Sequence, residues 1–287
     1  MIPAGFDYHR PRNLDEAIAL LAAHDDAARV IAGGHSLIPM MKLRLAAPEH
    51  LVDLQDIAEL RAIGSEGQSL VIGAMATQAA VIGSELLAKA CPILRETALQ
   101  IADPQVRAFG TIGGNVANGD PGNDMPAMMM ALDAVYRVKG PKGERDIAAR
   151  NFYQGAFVTA LAPAEILTQI RIPAPAAGHG YAYEKQKRKV GDYATAAAAV
   201  ILTLSQGRCS AAAVALTNLA GTPLFAAAAG QALVGTPLDA AAAAAAAKQA
   251  AAIAQPAADQ RGPADFRTHL AGVMVRRAIE RAKARAA

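Results

Sequence analysis

Val30-Ile31-Ala32-Gly33-Gly34-His35-Ser36-Leu37-Ile38-Pro39-Met40-Met41-Lys42 is the stretch on which the reading of the fold turns. Val30 to Ala32 form a short apolar strand that stops at paired glycines. Ser36 then stands as a candidate N-cap for a short helix through Met40 and Met41, with Pro39 limiting where that helix can begin. Upstream, Asn13 with Glu16 three residues on makes a capping-box-like start, and Leu14, Ile18, Leu21 and Ala22 recur at helical spacing. Downstream, His50-Leu51-Val52-Asp53-Leu54 reads as a strand. The alternation predicts a small parallel β-α-β unit in roughly the first fifty residues.

Beyond it, Leu60–Ile63 and Leu70–Gly73 flank a glycine-containing turn and read as a hairpin. Helical patterns run from Thr77 to about Leu99, punctuated by Ser84 and Pro92. A Gly/Asn/Asp-rich loop from Gly110 to Asp124 leads into an apolar segment through Met130. Short strands are expected at Ala134–Val138 and Ile166–Ile172. Pro173, Pro175 and Gly178-His179-Gly180 mark the domain boundary. After it, Tyr181–Lys185, Thr195–Leu204 and Ser210–Leu216 predict a small antiparallel sheet. Helices are expected at about 223–230, 238–254 and 263–285, the last with a basic end that suits the helix dipole.

The chain has 287 residues, a formal charge of +3, 53% hydrophobic residues, two cysteines and no tryptophan. This length buries a core without staples, and the small net charge gives no reason to expect a nucleic-acid partner. Much of the hydrophobic share is alanine. Its longest run, Ala240–Ala247, is too short to span a bilayer, and no apolar leader opens the chain. Cys91 and Cys209 are isolated, so neither a disulfide framework nor a metal cluster follows from them. The expectation is a cytoplasmic globular protein with no metal site.

Two glycine motifs could carry chemistry: Ala32-Gly33-Gly34-His35-Ser36 and Thr111-Ile112-Gly113-Gly114-Asn115. Paired glycines let backbone approach a ligand and turn successive N–H groups toward one anion, and Ser36 and Thr111 add hydroxyls. A helix start adds its dipole. This equipment suits a pyrophosphate, although either motif alone also fits a tight turn. Neither is a P-loop or a Rossmann fingerprint.

Together with Phe6-Asp7-Tyr8-His9-Arg10-Pro11, Gly191-Asp192-Tyr193-Ala194 and Ala264-Asp265-Phe266-Arg267, the motifs make the chain resemble the FAD-binding medium subunits of the molybdenum hydroxylases over its whole length. Gly33–Lys42 and Asn118-Gly119-Asp120-Pro121-Gly122-Asn123-Asp124-Met125-Pro126 are most similar to the branch that oxidises carbon monoxide. The resemblance implies an α+β fold: a vanillyl-alcohol oxidase-like (PCMH-type) FAD-binding domain of two α/β lobes, then a C-terminal domain of a small antiparallel sheet with a helical bundle. The domains would span 1–177, with lobes of about 1–55 and 56–177, and 178–287.

The resemblance also implies one non-covalent FAD. Ala32, Gly33, Gly34, His35, Ser36 and Leu37 would contact its diphosphate and adjoining sugar from one lobe, and Thr111, Ile112, Gly113, Gly114 and Asn115 from the other. Asp124 matches an acidic residue near the ribityl and adenosine hydroxyls, although a loop cap is an equal reading. Ile101 and Leu167 match positions packed on the cofactor and would otherwise pass as core. Lys185 matches a lysine near the isoalloxazine, where a cation stabilises reduced flavin. The alternative is that Lys185, Lys187, Arg188 and Lys189 form a solvated strand face. Tyr193 would lie against the ring, and Asp192 would hold its turn. His35 is a hydrogen-bond donor in this reading, and no residue of the chain is catalytic.

A molybdenum-copper cofactor and [2Fe-2S] clusters are implied on partners only: a large molybdoprotein subunit and a small iron–sulfur subunit, in a dimer of heterotrimers. Electrons from CO oxidation to CO2 would pass through the clusters to FAD and on to a quinone or other acceptor, with peripheral association at the inner face of the cytoplasmic membrane as an option. The alternatives are the FAD subunit of a related aldehyde, purine or N-heterocycle dehydrogenase, and a non-catalytic assembly scaffold.

Overall fold

The computed structural model describes residues 2–287. Its first unit comprises β1 (Asp7–His9), α1 (Leu14–His24), β2 (Ala28–Ile31), α2 (Leu37–Lys42) and β3 (His50–Asp53). The strands form a parallel sheet in the order β1-β3-β2, with Asp7 and Ala28 both opposite His50. Asn13 is extended, and its side chain accepts from the Glu16 N–H at 2.9 Å, which starts α1 at Leu14. Glu16 accepts from the Arg12 N–H rather than from Asn13, so the expected box closes one residue early. Leu14, Ala17, Ile18 and Leu21 bury one helix face against Val52, Leu54, Ile57 and Leu60. Each large side chain removed from water there contributes about 1.5–3 kcal/mol. Ser36 departs from its expected role as a side-chain cap: its backbone is helical (φ −103°, ψ −50°) and its hydroxyl makes no cap bond. Gly34, at φ +75°, has already opened the turn by accepting from the Ile38 N–H.

The second unit opens with the hairpin β4 (Ile63–Glu66) and β5 (Ser69–Gly73). Leu60, expected as strand, lies in a 3-10 turn whose carbonyl accepts from the Met75 N–H. The helices are α3 (Gln78–Gly83), α4 (Glu85–Ala90), α5 (Ile93–Gln100), α6 (Pro104–Phe109), α7 (Ile112–Ala117) and α8 (Asp124–Ala131). The breaks at Ser84 and Pro92 occur as expected, Ser84 capping α4. The loop expected from Gly110 to Asp124 instead contains α7, capped by Thr111. Strands β6 (Val135–Gly140), β7 (Gly143–Ala148), β8 (Tyr153–Gly155), β9 (Val158–Thr159) and β10 (Ile166–Pro173) follow. One antiparallel sheet has the order β4-β5-β10-β6-β7, and β8 pairs with β9. Met125, Met128, Met129 and Met130 are all buried in the main core.

The third unit is a sheet of β11 (Gly180–Gln186), β12 (Ala196–Ser205), β13 (Arg208–Thr217) and β14 (Leu224–Phe225), with α9 (Ala227–Gln231), α10 (Ala240–Ala252) and α11 (Ala264–Arg285). The helix expected from 223 starts later, because Leu224 and Phe225 pair with Leu216 and Ala215. Alanines explain the packing. Ala242, Ala243, Ala246, Ala247 and Ala250 of α10 are buried beside Ala271, Ala278 and Ala282 of α11, so two helices and a sheet approach closely with small side chains. No helix among the described residues is long and apolar enough to cross a membrane.

Candidate functional site

The fold brings the two glycine motifs into contact. A Cβ on Gly33 would lie 2.3 Å from the Phe109 carbonyl oxygen and 2.8 Å from Gly110 Cα, and one on Gly114 would lie 3.6 Å from Ala32 Cβ. The loop after β2 therefore rests on the turn between α6 and α7 at main-chain distance, which only glycine permits.

The motifs differ in what they offer a ligand. Among the described residues, the main-chain N–H groups of Gly33, Gly34, His35, Ser36 and Leu37 donate to no protein acceptor. Five successive free donors, beginning with a left-handed glycine, form an anion-binding concavity. The second motif has no such surplus. Ile112 donates to Ala76, Gly113 to Ala74, Gly114 to the Thr111 hydroxyl at 3.0 Å, and Asn115 to the Thr111 carbonyl. The expectation that both motifs turn free amides to one anion is thus corrected. Gly113 sits on Ala74, where a Cβ would come within 2.5 Å, and its strand-to-helix seam consumes the donors. The second motif supplies a close, side-chain-free wall.

From Thr111–Asn115 the site continues through polar contacts. Asn123 donates to the Asn115 carbonyl at 2.7 Å, and Met125 N–H donates to the Asn115 side chain at 3.2 Å, fixing the start of α8. Gly122 lies under Tyr193, whose ring carbon would be 2.9 Å from a Cβ there. Tyr193 keeps 42% of its surface exposed. Asp192 accepts from the Tyr193 N–H at 2.8 Å and meets Arg188 at 3.0 Å and Arg261 at 3.5 Å, so it holds the turn. Gly191, at φ +81°, packs on the Ala102 carbonyl. Ile101 beside it is half-buried, its carbonyl taken by Arg107 at 2.8 Å. Leu167 is 5% exposed within the main core.

Asp124 and Lys185 meet each other. Lys185 Nζ donates to Asp124 Oδ2 at 2.8 Å and to the Gln100 carbonyl at 3.2 Å, while the Tyr183 hydroxyl donates to Asp124 Oδ1 at 2.6 Å. The lysine side chain is 1% exposed, which removes Lys185 from a solvated strand face, while Arg188 and Lys189 are exposed. Burial pushes the Asp124 carboxyl up, against the pull of Lys185 and Tyr183. Burial and the adjacent carboxylate hold the Tyr183 hydroxyl well above its ordinary range, so it stays a donor. Lys185 thereby ties three segments together: the end of α5 beside Ile101, the first turn of α8, and β11. Burial, and then the charge of Lys185, lower the neighbouring Lys187, which donates to Gln100 Oε1 at 2.6 Å.

Sequence reasoning missed Phe109, Gly110, Gln100 and Tyr183. Phe109 and Gly110 immediately precede the second motif, and Tyr183 stands two residues before Lys185 on one strand face. Phe109 is 69% exposed beside the free amides, and His35, also exposed, has its ring centroid 6.3 Å away.

Comparisons with known proteins bear on this site. A family model described as the FAD binding domain in molybdopterin dehydrogenase matches residues 4–175, and one described as the CO dehydrogenase flavoprotein C-terminal domain matches 181–282. The carbon monoxide dehydrogenase medium chain of Afipia carboxidovorans is 63% identical over 286 residues, covering 100% of this chain and 99% of that one. The corresponding chain of Hydrogenophaga pseudoflava is 48% identical over the full length of both. A chain in the crystal structure of the Cu,Mo-CO dehydrogenase, cyanide-inactivated form, superposes with a TM-score of 0.99 at 63% identity over all of both chains.

Proposed function

The chain belongs to the FAD-binding subunits of the molybdopterin dehydrogenases, with the C-terminal domain of the CO dehydrogenase flavoproteins, and from that premise we propose how its residues hold the flavin. It is the flavoprotein subunit of a carbon monoxide dehydrogenase, an oxidoreductase whose molybdenum-copper and iron–sulfur cofactors belong to partner subunits. The observation that carries the binding mode is the run of five unpartnered amides, Gly33–Leu37, whose first residue is pressed against Phe109 and Gly110. In our reading those amides bind the FAD diphosphate. Ala32 and Thr111–Asn115 wall it from either side.

Ile101 and Tyr193 flank the isoalloxazine, with Asp192 orienting the tyrosine. Asp124 and Lys185 act as a pair. Their buried contact sets the distance between the Ile101 turn and the start of α8, and it puts a cation close behind the ring site. Leu167 supports the site from the core. When bound, FAD supplies a centre that accepts electrons singly and passes them on in pairs. Every residue of this chain named here binds, orients or encloses, and none performs the oxidation of CO.

We further read the domain division as 1–177 and 178–287, the assembly as a dimer of heterotrimers with large and small partners, and the acceptor as a quinone reached at the inner face of the cytoplasmic membrane. Anaerobic addition of CO to the purified complex tests the function. Bleaching of the flavin spectrum is expected, whereas a complex whose flavin stays oxidised under CO while an N-heterocycle reduces it would overturn the assignment.

A further inference from the structure

Three histidines distant in sequence converge at the other end of the first unit. His9 ends β1, His24 ends α1 and His50 begins β3. His9 Nε2 lies 3.2 Å from His50 Nδ1, and the His24 and His50 rings stack with centroids 3.6 Å apart. One ring nitrogen from each histidine lies within 4.8 Å of the others, and all three residues are half-buried. Asp7 is paired directly opposite His50 in the sheet, and its Oδ2 stands 3.7 Å from His50 Nδ1.

The site is separate from the flavin surface. In a parallel sheet all strands point the same way, and His50 occupies the row where β3 begins, opposite Asp7 and Ala28. The glycine loop leaves the far end of β2, after Ile31 pairs with Asp53. Packing alone gives little reason to gather three imidazoles and a carboxylate at one edge.

We propose that His9, His24 and His50 bind a divalent transition-metal ion of the zinc class, with a water oxygen as the fourth donor. Imidazole nitrogens suit zinc, nickel and cobalt, and a tetrahedral three-histidine, one-oxygen set is ordinary zinc coordination. With metal–nitrogen bonds of about 2.0–2.1 Å, neighbouring ligand atoms stand about 3.3 Å apart. The His9–His50 pair already has that spacing. To reach it, His24 at the end of α1 would rotate out of its stack on His50. The ion would clamp β1, β3 and α1 together, a structural role that stiffens the unit presenting the glycine loop from its opposite end.

The test uses the full-length chain, purified without a histidine tag, stripped with chelator and titrated with Zn2+ by calorimetry. One ion per chain is expected, together with a rise in melting temperature on binding. His24→Gln and His50→Gln should each weaken binding by about 10-fold or more, and the triple variant His9→Gln/His24→Gln/His50→Gln should abolish it. FAD content serves as the folding control, because the flavin surface lies elsewhere. A Co2+ titration adds a second readout: a tetrahedral visible absorption band in the wild type that disappears in the triple variant. If the triple variant keeps its FAD and still binds Zn2+ with unchanged affinity, or if the wild type binds none, the proposal fails.

Discussion

Gly33→Ala probes the contact on which the site is built. The new methyl would sit 2.3 Å from the Phe109 carbonyl oxygen and 2.8 Å from both the Phe109 carbonyl carbon and Gly110 Cα. All three are main-chain atoms, so no rotamer change relieves the clash. Non-bonded carbons prefer about 3.5–4.0 Å, so the loop after β2 and the turn before α7 must part by roughly 1 Å. Overpacking of this kind costs about 1–3 kcal/mol. A ligand that spans the two loops loses a similar amount, which is about 10- to 100-fold in Kd. The assay is FAD titration of the apo chain by flavin fluorescence, with circular dichroism to confirm folding. Gly64→Ala is the control, because a Cβ there meets nothing within 4 Å and its φ is ordinary. If folded Gly33→Ala bound FAD within about two-fold of the wild type, the two motifs would not jointly enclose the diphosphate.

Two further outcomes concern charge. Lys185→Met leaves the Asp124 carboxylate buried without its ion partner and should destabilise the chain by about 3–5 kcal/mol in urea unfolding. The double variant Asp124→Asn/Lys185→Met should recover much of that loss, since removing both charges is far cheaper than removing one. The second concerns acid. The bond from Arg145 holds the Glu165 carboxyl below its ordinary value of 4.5, against the opposing effect of burial. A carboxyl depressed on folding contributes stability above its unfolded value and loses it as the pH falls through the folded one. The urea midpoint should therefore drop as the pH is lowered below about 4.5, and Arg145→Leu should flatten part of that drop.

The parallel unit was legible because its signals are local: Asn13 before an apolar helix face, and Val30–Ala32 running into Gly33-Gly34. The same holds for β11, β12 and β13, since β12 and β13 carry apolar runs of strand length. The edge strand β7 was hidden because Gly143, Glu144, Arg145 and Asp146 are all exposed and carry no hydrophobic period. The helix α7 was hidden inside a glycine- and asparagine-rich stretch, and the six-residue α6 just before it is too short for an apolar period, although Asp103-Pro104 and Thr111 are ordinary helix starts that could have revealed them. Within the site, the residue types were readable but their partners were not. The sequence leaves a solvated cluster open for Lys185, and only its hydrogen bonds to Asp124 and to the Gln100 carbonyl show it buried. The histidine cluster left no local trace, since His9, His24 and His50 meet only once β1 and β3 have paired. Nor does a sequence tell which amides lack acceptors, and that is what separates the two glycine motifs.

The measurement closest to the central claim is amide hydrogen exchange of the full-length chain with and without FAD. Gly33, Gly34, His35, Ser36 and Leu37 have no protein acceptor and should exchange quickly without the flavin, then become protected when it binds. Ile112 to Asn115, already hydrogen-bonded, should be slow in both states. Fast exchange at Gly33–Leu37 in the FAD-loaded chain would contradict the account.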